Sequence, residues 1–173
     1  MYYKITGIFI ILYTFSSYVF GEECYRAIDA DTPSKRFKDK VPGTVFDTKT
    51  GLTWTRCPLG MQWNNNTCQD VADRMDWGEA HSAIIELNSQ QDGHAGFHDW
   101  RLPTLEELGT LVESSCYEPA INSEIFPNTP HTGFWSSTPD KYSRQGAWLV
   151  YFRNGSRYMG NQEYQWAIRP VRK

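Results

Sequence analysis

The sequence predicts a disulfide-stapled α+β domain, and three observations carry that prediction. Two apolar-periodic stretches each open on a helix-capping signature, and the last third is β-prone around an Asn-Gly turn. Four cysteines, Cys24, Cys57, Cys68 and Cys116, all follow an apolar leader.

Residues 1–21 carry Lys4, no acidic residue, and an apolar run from Ile5 to Phe20, the layout of a secretory signal peptide with cleavage expected after Gly21. Read as a membrane anchor the run is short, since a bilayer core needs about 20 apolar residues, and no positive cluster follows it. The chain is therefore expected to be exported, periplasmic or at the cell surface, and not membrane-embedded. The remaining 152 residues suffice for one domain that buries roughly two-thirds of its unfolded surface. All seven tryptophans lie in that part, so the expected core is aromatic-rich.

In an exported chain, four cysteines read as two disulfides with three possible connectivities. Cys57 and Cys68 enclose Pro58, Gly60 and Asn64-Asn65-Asn66, a turn-rich loop that closes easily, which leaves Cys24 to pair with Cys116. A zinc site is the rival reading, but no CxxC spacing supports it.

Residues 22–40 read as a polar N-terminal arm held by Cys24, and 41–173 as the domain. Thr44-Val45-Phe46 and Leu52–Thr55 flank a turn and predict a hairpin. Asp76 with Glu79, followed by Trp77, Ala80, Ile84 and Leu87 at helical spacing, predicts a helix over Trp77–Ser89. A Gly-rich loop, 92–99, precedes Trp100. Thr104 with Glu107, then Leu105, Leu108 and Leu111 or Val112, predicts a second helix of about three turns. Pro119, Pro127 and Pro130 make the next stretch irregular. Asn154-Gly155 as a two-residue turn pairs Phe152 with Arg157, Tyr151 with Tyr158 and Val150 with Met159. Trp148, Val150, Phe152 and Met159 then share a core-facing side, and Tyr151, Arg153 and Tyr158 the other. Ala167-Ile168-Arg169 is expected as a final strand ended by Pro170.

Several stretches taken in order resemble the Legionella collagen-like protein (Lcl) C-terminal domain family. They are Gly43-Thr44-Val45 with Asp47-Thr48-Lys49-Thr50-Gly51-Leu52-Thr53-Trp54, and Asp99-Trp100-Arg101-Leu102-Pro103-Thr104 leading into Glu107-Leu108. Further on come Cys116-Tyr117 with Pro119-Ala120-Ile121-Asn122, Phe126-Pro127-Asn128-Thr129, Phe134-Trp135-Ser136-Ser137 and Ile168-Arg169-Pro170-Val171-Arg172. The resemblance implies a C-type-lectin-like fold, a twisted, mostly antiparallel sheet with two helices and with first and last strands side by side. It also implies an adhesin-like role, because the family's namesake binds sulfated glycosaminoglycans and forms a trimer. The collagen-like stem that helps that trimerisation has no counterpart here, so a homo-oligomer is only one option. Arg101-Leu102-Pro103-Thr104 is similar as well to the formylglycine-generating sulfatase modifiers. Those enzymes use reactive cysteines near the C-terminal end, where this chain has none after Cys116.

Charge is unevenly spread. Residues 22–140 hold nine Lys or Arg against nineteen Asp or Glu, whereas 141–173 hold Lys141, Arg144, Arg153, Arg157, Arg169, Arg172 and Lys173 against Glu163 alone. Arginine forks suit sulfate and carboxylate, and tyrosine faces suit sugar rings. Lys141, Arg144, Tyr151, Arg153, Arg157 and Tyr158 are therefore the candidate ligand-binding residues, for a sulfated or acidic polysaccharide or a host surface protein. The competing reading pairs these cations with the acidic part of the same domain. Nucleic acid is disfavoured by the net charge of −3 and by export.

Calcium-dependent lectins supply Glu-Pro-Asn and Trp-Asn-Asp oxygens; here the chain has Glu118-Pro119-Ala120 and Trp135-Ser136-Ser137. His94 and His98 between Asp92 and Asp99 suggest a metal only weakly, on a glycine-containing loop. Ser136 or Ser137 with His131 lacks a nucleophile elbow. Trp100, Arg101 and Trp135 read as core or supporting residues, Arg101 paired with an acid or with carbonyls. No enzyme activity, cofactor or metal is expected. The leading expectation is an adhesin-like binding domain; the alternatives are a sulfatase-modifier-like enzyme, or a structural component of a surface assembly docked through the arm.

Overall fold

The computed structural model describes residues 23–25 and 29–173, and the signal peptide expected over 1–21 lies outside the described residues. The fold is mixed α+β, built of mostly antiparallel sheets, two helices and two disulfides. Strands β1 (Glu23–Cys24), β2 (Phe37–Asp39), β3 (Thr44–Asp47) and β4 (Leu52–Thr55) come first, followed by the small hairpin β5 (Gln62–Asn64) and β6 (Thr67–Gln69). Helices α1 (Trp77–Ser89) and α2 (Leu105–Gly109) follow, then β7 (Cys116–Tyr117), β8 (Gly133–Pro139), β9 (Gly146–Tyr151), β10 (Ser156–Asn161) and β11 (Val171–Arg172). A four-stranded sheet runs β11-β4-β3-β2, a three-stranded sheet runs β10-β9-β8, and β1-β7 and β5-β6 form two-stranded ribbons. The last strand therefore lies beside β4 at the edge of the four-stranded sheet, separated from β3 by β4. No helix among the described residues is long and apolar enough to cross a membrane.

Alternation along the three-stranded sheet divides the core in two. Phe134 and Val150, level with each other on β8 and β9, enter one apolar cluster with Trp54, Leu108 and Phe152. Their neighbours Trp135 and Leu149 enter a second cluster on the other face, with Ala80, Ile84, Leu87 and Trp100. A sheet whose successive side chains point to opposite sides can serve two cores only if both faces are covered. Here α1 covers one and α2 with the four-stranded sheet covers the other.

Helix α1 has the bounds its capping box predicts: Asp76 accepts the Glu79 N–H at 2.8 Å and Glu79 accepts the Asp76 N–H at 2.9 Å. Helix α2 keeps its capping box but stops after five residues, short of the three turns expected. The residues that would continue it have other partners. The Thr110 carbonyl accepts from Arg36 Nη1 at 2.9 Å, and the Ser114 N–H donates to Asp31 Oδ2 at 3.2 Å. Once an outside donor and acceptor satisfy those groups, the helical bond between them has nothing to add.

The N-terminal arm is thus more than a tether. Phe37 is buried in the first cluster, β2 extends the four-stranded sheet, and Cys24 is bonded to Cys116. Cys57 pairs with Cys68 across the β5-β6 hairpin.

Three expectations for the last third need correction. Tyr151 pairs with Ser156, so the β9-β10 loop holds four residues instead of two. Phe152 is withdrawn from the ladder because its N–H donates to the Thr132 carbonyl at 3.0 Å and its carbonyl accepts from the Ala120 N–H at 2.7 Å. The register slips by two, which preserves the side-chain faces. Met159 is 44% exposed and lies outside the core, since β10 is the sheet's edge. The final strand is Val171–Arg172, because Trp166 and Ala167 instead bridge Met75 and Phe134.

Candidate functional site

The cationic residues of the last third do not form one patch. Arg169 is fully buried: Nη1 donates to the carbonyls of Thr55 (3.0 Å) and Arg56, Nη2 to Thr129 Oγ1 (2.7 Å), and the guanidinium lies 4.8 Å from the Phe126 ring centroid. Burial pulls its pKa down to about 9, which leaves it charged at neutral pH. Arg172 pairs with Asp99 at 2.6 Å and lies over Phe97. Arg153, at the β9-β10 turn, pairs with Glu118 at 2.7 Å beside the Tyr117 ring. Tyr117 and Arg153 hold the Glu118 carboxyl below its usual range.

Arg157 lies on the Val150 side of the hairpin, its guanidinium so close to Gly109 that a Cβ there would come within 2.9 Å of Nη2. Lys141 and Arg144 are exposed in the loop between β8 and β9. That loop is held to the chain after β10, where the Gln162 N–H donates to the Gln145 carbonyl at 2.8 Å. Lys141 and Arg144 thus stand at the end of β9 opposite Arg153, about 20 Å away for a strand of this length. Among the described residues, none of the five ion pairs involves Lys141, Arg144 or Arg157.

Tyr151 and Tyr158 do come together, on the face opposite Arg157. In the ladder Tyr158 is level with Leu149 and Tyr151 with Ser156, so all four side chains share that face. Two rings that the sequence reading did not single out complete it, Tyr164 and Trp166. The six residues line a groove of about 210 Å³. Trp166 is positioned by a two-way backbone ladder with Met75, at 3.0 and 3.1 Å, and its indole lies against Gly133, where a Cβ would come within 2.9 Å of the ring. Tyr151 meets Trp166 edge-on at 6.2 Å. Tyr158 and Tyr164 are 54% and 53% exposed, and the buried Trp166 indole N–H has no hydrogen-bond partner. The polar-aromatic alternation of Glu163-Tyr164-Gln165-Trp166 was the available signal. Rings with an apolar face and a polar edge, half in water, suit ligands that are themselves apolar on one face and hydroxylated at the rim.

The other candidates are structural in this fold. Arg101 forms a two-pronged pair with Glu107, both contacts 2.7 Å, and that pairing holds the Glu107 carboxyl down. Ser136 sits in the irregularity of β8, its hydroxyl donating to the Trp148 carbonyl at 2.6 Å. The His98 ring contacts the Asn88 carbonyl at 2.8 Å, and His94, its pKa lowered by burial, packs edge-on against Trp100.

Comparison with curated proteins finds no match. Residues 43–172 match the Lcl C-terminal domain, a span running from the glycine before β3 to the last residue of β11 and enclosing both helices, the three-stranded sheet and the aromatic groove. With three-quarters of its length inside that match, the chain belongs to the Lcl C-terminal domain family.

Proposed function

We propose that this protein is an exported, non-catalytic binding domain that recognises a glycan by laying sugar rings on Tyr151, Tyr158, Tyr164 and Trp166. The observation that carries the reading is the convergence of four aromatic side chains on one open groove, two of them more than half exposed. Lys141 and Arg144 at one end of the groove favour a ligand with sulfate or carboxylate substituents there, since neither is neutralised by a described carboxylate. Both disulfides accord with an oxidising compartment, and hence with export.

The test is a glycan array probed with the oxidised protein, followed by titration of the best ligand. Tyr158→Ala and Tyr164→Ala should each weaken binding at least about tenfold, equivalent to 1.4 kcal/mol. Raising the salt should weaken binding modestly when the ligand is acidic. Binding that survives both substitutions would move the site elsewhere.

A further inference from the structure

Strand β10 is the outer strand of the three-stranded sheet, and Ser156, Arg157, Tyr158 and Met159 are all exposed in succession. The Gln162 N–H to Gln145 carbonyl bond fixes which residues face outward along this edge. In an antiparallel ladder bonded pairs alternate with unbonded ones. Counting back from Gln162, the pairs Gly160–Ala147, Tyr158–Leu149 and Ser156–Tyr151 are bonded, whereas Arg157 and Met159 turn their backbone N–H and C=O groups away from β9. No proline or bulge guards this edge, Arg157 is its single charge, and two large side chains, Tyr158 and Met159, stand in water along it. Edges left in that state are templates for strand addition.

We infer that β10 pairs with β10 of a second copy of this chain, antiparallel about a two-fold axis through Tyr158. That register joins Arg157 to the partner's Met159 and Met159 to the partner's Arg157 through both outward groups of each residue. It sets the two Tyr158 rings across an unbonded position, where aromatic side chains contact most closely. It also brings the turn bearing Glu163 toward the partner's turn bearing Arg153, whose guanidinium is already paired with Glu118, so the ends add little beyond the absence of like-charge repulsion. The neighbouring two-fold registers are poorer. Centring on Arg157 opposes two guanidinium groups, and centring on Met159 calls on the Asn161 carbonyl, which already accepts from the Tyr164 N–H at 2.9 Å. A closed two-fold contact of this kind uses the same patch on both copies and ends assembly at the dimer.

The product is one continuous sheet, three strands from each copy, with both aromatic grooves on the same face. The consequence for avidity rests on the glycan reading, but the pairing itself does not. Sedimentation equilibrium of the oxidised protein separates the two. The wild-type protein should be dimeric. Met159→Arg, which places a second cation beside the partner's Arg157, should raise the dimer dissociation constant at least about tenfold. Met159→Glu in the same position should preserve or tighten the dimer, in a manner weakened by salt. A wild-type monomer, a dimer untouched by either substitution, or equal weakening by both charges would each overturn the assignment. Loss of glycan binding with the dimer intact would bear on the groove alone.

Discussion

Two regions of this protein treat polarity in opposite ways. Beneath the N-terminal arm, two buried carboxylates are matched at both oxygens. The fully buried Asp47 accepts from Arg36 at both oxygens, from the Lys49 N–H at 2.9 Å and from Thr50 Oγ1 at 2.7 Å. Glu113, almost as deep, accepts from the Thr32 N–H and hydroxyl at 2.8 Å each, from the Ser115 hydroxyl at 2.6 Å, and from the Asp31 and Ser115 N–H groups at 3.2 Å. On the β9-β10 face the reverse holds: Tyr158 and Tyr164, rings that could have filled a core, stand half in water. A saturated network has no group left for a ligand, whereas a half-wet aromatic surface costs stability unless something covers it. The difference teaches that the acidic excess of residues 22–140 is partly internal framework, and that the surface available to a partner is marked by aromatic exposure more than by charge.

The sharpest way to break this contrast is to remove a member of the buried network. Asp47→Ala strands the Arg36 guanidinium in an interior where no other carboxylate reaches it, and removal of one partner from a buried pair costs about 3–5 kcal/mol. Urea denaturation should show that loss at neutral pH, together with release of the arm, detectable as proteolysis near residues 29–36. A loss below about 1 kcal/mol would mean the arm is not part of the cooperative unit.

Acid offers a gentler test of the same region. Burial raises the carboxyl pKa values of Asp47 and Glu113, but hydrogen bonds outweigh it: Arg36, Thr50 and Lys49 for Asp47, and Ser115, Thr32 and Asp31 for Glu113. Both end below their ordinary values. A carboxyl depressed on folding contributes stability that is complete above its unfolded pKa and is lost as pH falls through the folded one. Unfolding free energy should therefore be level above about pH 5 and decline below about pH 4. Glu113→Gln keeps one acceptor oxygen of two, so it should cost about 1–3 kcal/mol at pH 7 and make the acid decline shallower. An unchanged acid slope in that variant would remove Glu113 from the account.

The same contrast explains what could be read in the sequence. Helix α1 was legible to the residue because its capping box and apolar spacing are local. Helix α2 was legible at its start but not at its end, where Asp31 and Arg36, more than seventy positions earlier, supply the terminating partners. The faces of the last hairpin followed from alternation alone, since a slip of two leaves them unchanged. Its register did not, because Thr132 and Ala120 claim the Phe152 backbone from outside. Of the candidate site, Tyr151 and Tyr158 were placed by that alternation. Tyr164 and Trp166 join them only through the Met75 ladder, and the candidate cations part company because Arg153 pairs with Glu118 while Arg157 turns to the opposite face beside Gly109, contacts that no local pattern encodes.

The smallest expected effect on stability belongs to the groove, and it is where the comparison is most exposed to failure. Tyr158 lies on an edge strand, more than half in water, and supports neither core cluster. At concentrations too low for the β10 pairing, its truncation should leave the unfolding free energy within about 0.5 kcal/mol of wild type, as for surface positions away from the core. Trp166, packed against Leu149, Tyr151 and Gly133, should cost more when truncated, because its ring closes one side of the second cluster. Paired thermal melts of Tyr158→Ala and Trp166→Ala measure the two. If Tyr158→Ala melts as low as Trp166→Ala, the exposed tyrosine is structural after all, and its place on the surface needs no ligand to account for it. If it melts with the wild type, the chain keeps a large aromatic residue in water with no return in stability, and that residue is held for something outside the molecule.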